Sequence, residues 1–331
     1  MSTAAADTAA TPGAGLMARD RGAVGDRLFR WIALTAGLVV LAILGLIAYS
    51  TTHEAWPALR EAKFGFLTSH RWAPEVAEGA TPSFGAAAFV YGTFIVSAVS
   101  LVIAVPVSLL IALFVTEVAP RRLRGLITTL TDLLAAVPSV VWGLWGLAVL
   151  APNIVGFYET LHSTVGRVPL LGRLFGDQPQ GRSFMTAGVI LAIMITPIIT
   201  SVMREVLLTV PRTDKDGALA LGATRWEMIR GVVLPHSLGG LVGAVMLGLG
   251  RAMGETIAVA LVIGSSTQIV ANLFASGDAM PARIINEWGE AIGTHRSALM
   301  ALGVALFALT IVVNVAARAA VARAAQRMGG A

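Results

Sequence analysis

From Phe84 to Thr116 the chain runs for 33 residues without a charged side chain. As a helix this run is about 50 Å long, against about 30 Å of hydrocarbon in a bilayer. A helix satisfies its own backbone groups, so such a run is stable in lipid. Trp31–Ser50 gives 20 uncharged residues, and Ser183–Met203 and Ser297–Ala317 give 21 each. Leu126–Leu150 carries only Asp132, and His236–Ser265 only Arg251 and Glu255. Hydrophobic residues make up 56% of the chain and charged residues 13%, with mean hydropathy +0.78. A soluble enzyme, a disordered chain and a nucleic-acid-binding domain are therefore poor readings. The expectation is an all-α integral membrane protein with six transmembrane helices at about 31–50, 84–116, 126–150, 183–203, 236–265 and 297–317. These lie in one transmembrane domain, 27–331, behind an Ala-, Thr- and Gly-rich tail, 1–26, expected to be disordered. The first run is longer than a signal-peptide core and five others follow it, so an uncleaved first helix is expected. Pro106, Pro138 and Pro197 mark expected kinks.

Lys and Arg are unevenly shared between the connecting segments. Residues 1–30, 117–125, 204–235 and 318–331 hold 15 of the 24, and residues 51–83, 151–182 and 266–296 hold 8. The positive-inside bias then puts both termini in the cytoplasm. The net charge of +5 follows from those loops and implies no nucleic-acid partner. There is no cysteine, which excludes disulfides, thiolate metal sites and iron–sulfur clusters. The five histidines are scattered, so no metal site is expected. No G-x-x-x-x-G-K-[ST] occurs around either lysine, Lys63 or Lys215, so the chain does not hold ATP in a P-loop. No enzyme constellation is found. A channel, a transporter subunit or a membrane anchor remains.

The connecting segment 209–235, expected on the cytoplasmic side, is the most informative. Asp214–Leu221 reads as a short helix with an acidic start, closed by Gly222. Arg225–Val233 reads as a second helix, stopped by Pro235. Ala218, Leu219, Leu221, Trp226, Ile229 and Val233 would form an apolar side larger than a connector needs. Asp216, Gly217, Ala218, Gly222, Val232, Leu234 and Pro235 match, position by position, the motif E-A-A-x3-G-x9-I-x-L-P. Asp for Glu, Gly for Ala and Val for Ile are the departures. In this the chain resembles the permease subunits of bacterial ABC importers. The resemblance implies that 209–235 is a coupling loop that enters a cleft on a separate ATPase subunit, where the ATP and Mg would be bound. No cofactor is expected in this chain.

Within the fifth run, Arg251 lies 15 residues after His236, and Glu255 follows at i+4, on the same face of a continuous helix. Each charge costs on the order of 2.5–3.5 kcal/mol at a helix centre in lipid, so this face is expected to be interior or water-lined. A guanidinium there can donate several hydrogen bonds to an oxyanion. A structural salt bridge is the alternative. Glu255 could hold Arg251 while the site is empty, or belong to a gate, and both roles fit. The pairs Gly239/Gly243 and Gly250/Gly254 suit close helix packing, or thin the helix around Arg251 for a substrate or a partner helix. Asp132 reads as an interface or capping residue, Trp142 and Trp145 as packing or interface anchors, and the loop with Trp56 and Trp72 as a cap or a contact for an external protein.

The stretch 248–264, with Phe89–Thr93 and Leu133–Gly146, resembles the permeases of phosphate-specific importers of the PstC type over roughly residues 28–320. That resemblance implies a type I ABC importer permease in the bacterial inner membrane. It also implies that Arg251 and Glu255 take part in phosphate translocation. The partners it implies are a PstA-type permease, two copies of a PstB-type ATPase, a periplasmic PstS-type phosphate-binding protein and membrane lipid. A permease for sulfate or molybdate is the near alternative. An ATP-independent transporter or channel, or a membrane scaffold, is the alternative from another class.

Overall fold

The computed structural model describes residues 20–63, 65–74, 83–166, 168, 172–176 and 179–329. Most of the tail expected to be disordered, residues 1–19, lies outside the described residues. The elements are helical apart from one short hairpin. They are α1 (Asp20–Ala62), α2 (Gly65–Thr68), α3 (Ala87–Leu113), α4 (Arg121–Ala135), α5 (Ser139–Trp145), α6 (Ala151–Val165), α7 (Phe184–Leu208), α8 (Arg212–Ala220), α9 (Arg225–Met228), α10 (Leu234–Gly254), α11 (Ile257–Val262), α12 (Met280–Glu287) and α13 (Gly293–Gly329). Among the described residues, the π-turns Gly146–Leu150 and Ile229–Val233 join consecutive helices without a break, and a third, Phe114–Val118, ends the run that begins with α3, Ala119 being extended. Six helical runs among the described residues are long and apolar enough to cross a membrane: Gly25–Ala62, Ala87–Val118, Ser139–Val165, Phe184–Leu208, Arg225–Gly254 and Gly293–Ala319.

The chain divides into two compact units at His53. The first holds the start of α1, whose large apolar side chains from Leu28 to Tyr49 point outward, as they would into lipid. The second unit, from Glu54, holds the core. Its centre is the α3–α7 pair, with Val96, Ala104, Ile190, Leu191, Ile195 and Ile199 buried. Ser108 Oγ donates to the Thr196 carbonyl at 3.1 Å, an interhelical bond beside Pro197.

Two of the expected spans differ from the structure. Leu126–Leu150 is not one helix. Residues 126–135 belong to α4, an amphipathic helix with no buried residue. Pro138, with ψ 142, starts α5 instead of kinking a span. A proline lacks the N–H for the helix ladder and its ring collides with the carbonyl four residues back, so the helix ends before it. The third membrane helix is therefore 139–165, and Trp142 and Trp145 lie in its first turns with rings edge to face, centroids 6.1 Å apart. Asp132 is exposed near the end of α4. The fifth run stops being helical at Gly254, ahead of Ser265, with consequences described below.

A second apolar cluster, which takes Phe89 from α3, includes Phe66, Phe84, Met280, Leu299 and Leu302. The hairpin β1 (Trp72–Ala73) with β2 (Ser83–Phe84) pairs Trp72 with Phe84 and covers this cluster. Trp72 Nε1 donates to Glu287 Oε2 at 2.9 Å, and His295 Nε2 lies 2.9 Å from the same oxygen. Arg283 joins Glu287 to Asp278, 2.8 Å away, and sits 4.9 Å over the Phe89 ring. Burial pushes the Asp278 carboxyl from 3.8 up to about 6, against the pull of Arg283. Its folded pKa is raised, so its contribution to stability is complete below pH 3.8 and is lost as pH rises through 6. At about 1.4 kcal/mol per pH unit the loss is about 3 kcal/mol. Thermal unfolding in detergent should therefore show wild-type stability falling from pH 4 to 6 relative to Asp278→Asn. Parallel pH curves for the two proteins would refute this.

Candidate functional site

The 209–235 segment folds as a hairpin of two helices. Pro211, with an extended backbone, opens α8. Its end closes in a Schellman arrangement: Gly222 N–H donates to Leu219 O at 3.0 Å and Ala223 N–H to Ala218 O at 3.1 Å. Gly222 has φ +90, a conformation that side chains with a Cβ rarely adopt, so the glycine of the motif is a backbone requirement. Thr224 then caps α9, and Glu227 reaches back to the Thr224 N–H at 2.7 Å. The sequence carries the signal for this box as T-x-x-E at 224–227.

Pro235 does not stop the second helix. The run continues from Arg225 to Gly254. The π-turn makes this possible: Leu234 N–H bonds back five residues to Ile229 O, and this widened turn directly ahead of Pro235 accommodates its ring and missing N–H inside the continuing helix. The expected apolar side divides in two. Ala218, Val232 and Leu234 pack against the main core, in which Ile229 and Val233 are buried. Leu219, Leu221 and Trp226 face outward, Leu221 at 92% exposure and Trp226 at 63%. Asp216, Gly217 and Pro235 are also exposed.

Arg251 is in the last turn of α10, where the helix dipole favours a cation. Glu255 is not one helical turn further on. Its backbone is extended, with ψ 126, and its Oε1 accepts the Ala258 N–H at 3.3 Å, at the start of α11. Thr256 Oγ1 donates to the Gly254 carbonyl at 3.2 Å, satisfying one group freed by the break. The shared helical face inferred from i+4 spacing is lost because the helix ends between the two residues. No ion pair joins them, and the exposed Arg251 guanidinium has no hydrogen-bonding or charged partner among the described residues. Glu255 itself is buried.

The two residues nonetheless line one open cavity of about 480 Å³, with Ile198, Met246, Leu247, Gly250 and Gly254. Broken backbone at membrane depth is tolerated where it lines a cavity, and the 255–256 break lies at the edge of this one. The glycines of α10 divide by face. Gly240 and Gly248 are pressed against Val206 and Ile199 of α7. Gly239, Gly243, Gly250 and Gly254 meet open space within this chain. The paired glycines are therefore not used for packing inside the subunit. They form a thin stripe leading to Arg251. Ile198 and Met246 had no signal in sequence, because their place at the cavity depends on how α7 crosses α10.

A chain with six helices able to cross a membrane, an outward-facing helical hairpin between the fourth and fifth, and an arginine at a helix break with no partner among the described residues has the build of a membrane permease. Residues 104–329 match the family model "Binding-protein-dependent transport system inner membrane component", and the chain belongs to this family of multi-pass cytoplasmic-membrane proteins. It is 43% identical over 311 residues to "Phosphate transport system permease protein PstC" of Mesorhizobium japonicum, covering 93% of this chain and 94% of the relative. It is 42% identical over 310 residues to the protein of that name from Xylella fastidiosa, covering 93% and 94%. "Phosphate transport system permease protein PstC 2" of Mycobacterium tuberculosis is 40% identical over 299 residues, covering 89% and 91%. A chain of the crystal structure of a bacterial alginate ABC transporter in complex with its alginate pentasaccharide-bound periplasmic protein has the same fold. Its TM-score is 0.58 at 18% identity, covering 88% of this chain and 94% of that one.

Proposed function

We propose that the chain is a permease subunit of an ATP-driven importer that carries inorganic phosphate into the bacterial cytoplasm. The observation that carries this reading is the unpaired Arg251 at an open cavity beside a broken helix, in a chain about 40% identical to phosphate-system permeases. A guanidinium with no internal partner is ready to bind a tetrahedral oxyanion. Glu255, turned to cap α11, leaves Arg251 free. Its nearby negative charge disfavours retention of the anion and so favours release. No group of this chain serves the hydrolysis of ATP in this scheme.

Both termini and the 209–235 hairpin lie on the cytoplasmic side in this reading, as the Lys and Arg bias requires. The hairpin docks with an ATPase subunit, two of which bind ATP-Mg. A companion permease covers the open glycine stripe of α10 and the other half of the cavity. A periplasmic phosphate-binding protein delivers the anion. Closure of the ATPase pair pulls the hairpins and turns the cavity outward, and hydrolysis returns it inward.

Labelled phosphate uptake in cells lacking their own high-affinity importer tests the reading, with the partner subunits supplied and this chain present or omitted. Uptake should require the chain and be blocked by unlabelled phosphate but not by sulfate or molybdate. A complex that assembles and imports sulfate or molybdate instead would move the substrate to that oxyanion. Uptake without an ATPase subunit would refute the ATP-driven scheme.

The outward Leu221 and Trp226 give a separate prediction. Burying a leucine side chain contributes about 1.5–3 kcal/mol, or roughly 10- to 100-fold in affinity. Leu221→Asp should therefore weaken co-purification with the ATPase by at least about tenfold. Because Leu221 touches little of its own chain, the isolated subunit should unfold as the wild type does. Unchanged co-purification would remove Leu221 from the docking surface.

A further inference from the structure

We infer that the partly buried ion pair Lys215–Glu117 is a strut that carries motion of the coupling hairpin into the second membrane helix. The inference rests on the ATP-driven reading above and concerns residues to which the loop motif gives no such role.

Lys215 Nζ and Glu117 Oε1 are 2.6 Å apart, across 98 residues of sequence. Their side chains are only 16% and 9% exposed, so solvent and salt screen the pair weakly. Lys215 is also the one side chain of Arg212–Gly217 that is not exposed. α8 thus presents one face to solvent and one charge to the body of the subunit.

Glu117 sits in the π-turn Phe114–Val118 that ends the second membrane helix, where Ala119 N–H bonds back five residues to Phe114 O. The turn is held from a second direction: Arg124 Nη2, in the first turn of α4, donates to the Thr116 carbonyl at 3.0 Å. Three elements therefore meet at two adjacent residues: α3 by continuity, α4 through Thr116, and α8 through Glu117.

The hairpin's other attachment is also a π-turn. Ile229–Val233 runs directly into α10, which bears Arg251. π-turns already depart from the regular helical ladder and are recurrent sites of bending. Besides the short link Thr209–Pro211 back to α7, a pull on the hairpin accordingly has two outlets. One passes along the chain into α10 and the cavity. The other passes through Lys215 into the end of α3 and the start of α4. Removing one partner leaves the other charge partly buried and unpaired, so the pair resists separation and moves as a unit. Lys215 and Glu117 are positioning residues: they touch neither substrate nor nucleotide, and they keep the two outlets in step.

The test uses the complete importer in proteoliposomes with its phosphate-binding protein, measuring ATP hydrolysed and phosphate imported in the same preparation. Lys215→Met and Glu117→Gln should co-purify with the ATPase at wild-type yield. The ATP spent per phosphate should rise about tenfold, the scale of an ordinary coupling energy between sites. Exchanging the charges, Lys215→Glu with Glu117→Lys, should bring the ratio back to within about twofold of wild type, as an intact pair would. Single variants that keep the wild-type ratio overturn the strut. Single variants that lose the ATPase overturn it as well, because the pair would then hold the hairpin's shape and not transmit its motion. An assembled charge-exchanged complex with the ratio still raised overturns it on the third count. If the wild-type complex imports no phosphate, the substrate reading fails by itself, while the effect of these variants on ATP hydrolysis stimulated by the loaded binding protein still judges the strut.

Discussion

Arg251→Ala is expected to reduce phosphate uptake by about 100-fold or more while the complex still assembles. A hydrogen bond to a charged group is worth about 1.5–3 kcal/mol, and a guanidinium that gives two loses about 3–6 kcal/mol on truncation. At 1.4 kcal/mol per tenfold, the lower figure already corresponds to about 100-fold. The isolated subunit should not be destabilised, because Arg251 makes no ion pair or hydrogen bond with the described residues and lies exposed at the cavity. Arg251→Lys should recover only part of the uptake, since an ammonium keeps the charge without the planar pair of donors. The check is initial uptake rate at saturating binding protein, together with the yield of intact complex. Wild-type uptake by an assembled Arg251→Ala complex would show that the cavity's cation is not in the pathway. Loss of assembly would show that it holds the subunit, or the contact with its companion, together.

Gly92→Ala is expected to damage the fold itself. Gly92 lies in α3 where the chain around Asp278 crosses it, and a Cβ there would overlap the Asp278 carbonyl oxygen and come within 3.2 Å of Phe184. The obstacle is backbone, and that backbone is pinned: Met280 N–H donates to Thr93 Oγ1 at 3.0 Å and Ala279 N–H to Asp278 Oδ1 at 2.8 Å. One side must move as a unit. Overpacking of this kind costs about 3 kcal/mol or more. For a chain of this size that is a fall of about 4 °C or more in thermal midpoint, read by unfolding in detergent. Gly243→Ala is the contrasting case, since its Cβ would meet open space within the chain. It should leave the isolated subunit as stable or raise stability by up to about 1 kcal/mol, the ordinary gain of alanine over glycine in a helix. Equal behaviour of the two variants would show that the α3 crossing is looser than described.

The match between sequence and structure is best where the governing physics is local. Hydropathy over about 20 residues needs no knowledge of the fold, so the number of membrane helices was legible, and so was the hairpin between the fourth and fifth. Gly222 was legible as a helix end because its role is conformational. The helix limits were less so. Asp132 is one charge in an apolar run, and Pro138 reads as a kink in the sequence, although the turn at 136–138 separates an amphipathic helix from a spanning one. Pro235 reads as a stop in the sequence, although a π-turn ahead of it lets the helix pass through. In both cases the proline marked the right place, and the surrounding hydrogen bonds decided what happened there.

The sequence by itself determined that this chain lives in a membrane, that it spans it with six apolar helices, and that an arginine and a glutamate occur within the fifth apolar run. These follow from the cost of leaving apolar groups in water or charges in lipid, which each residue carries wherever it sits. Only the tertiary structure decided that Arg251 has no partner among the described residues, that Glu255 caps a separate helix, and that Gly240 and Gly248 are covered while Gly250 and Gly254 are open. It also decided that Lys215 meets Glu117 across 98 residues. Helical periodicity extends a face only while the helix lasts, and pairs far apart in sequence are chosen by how α3, α7, α8 and α10 cross, which no local pattern encodes.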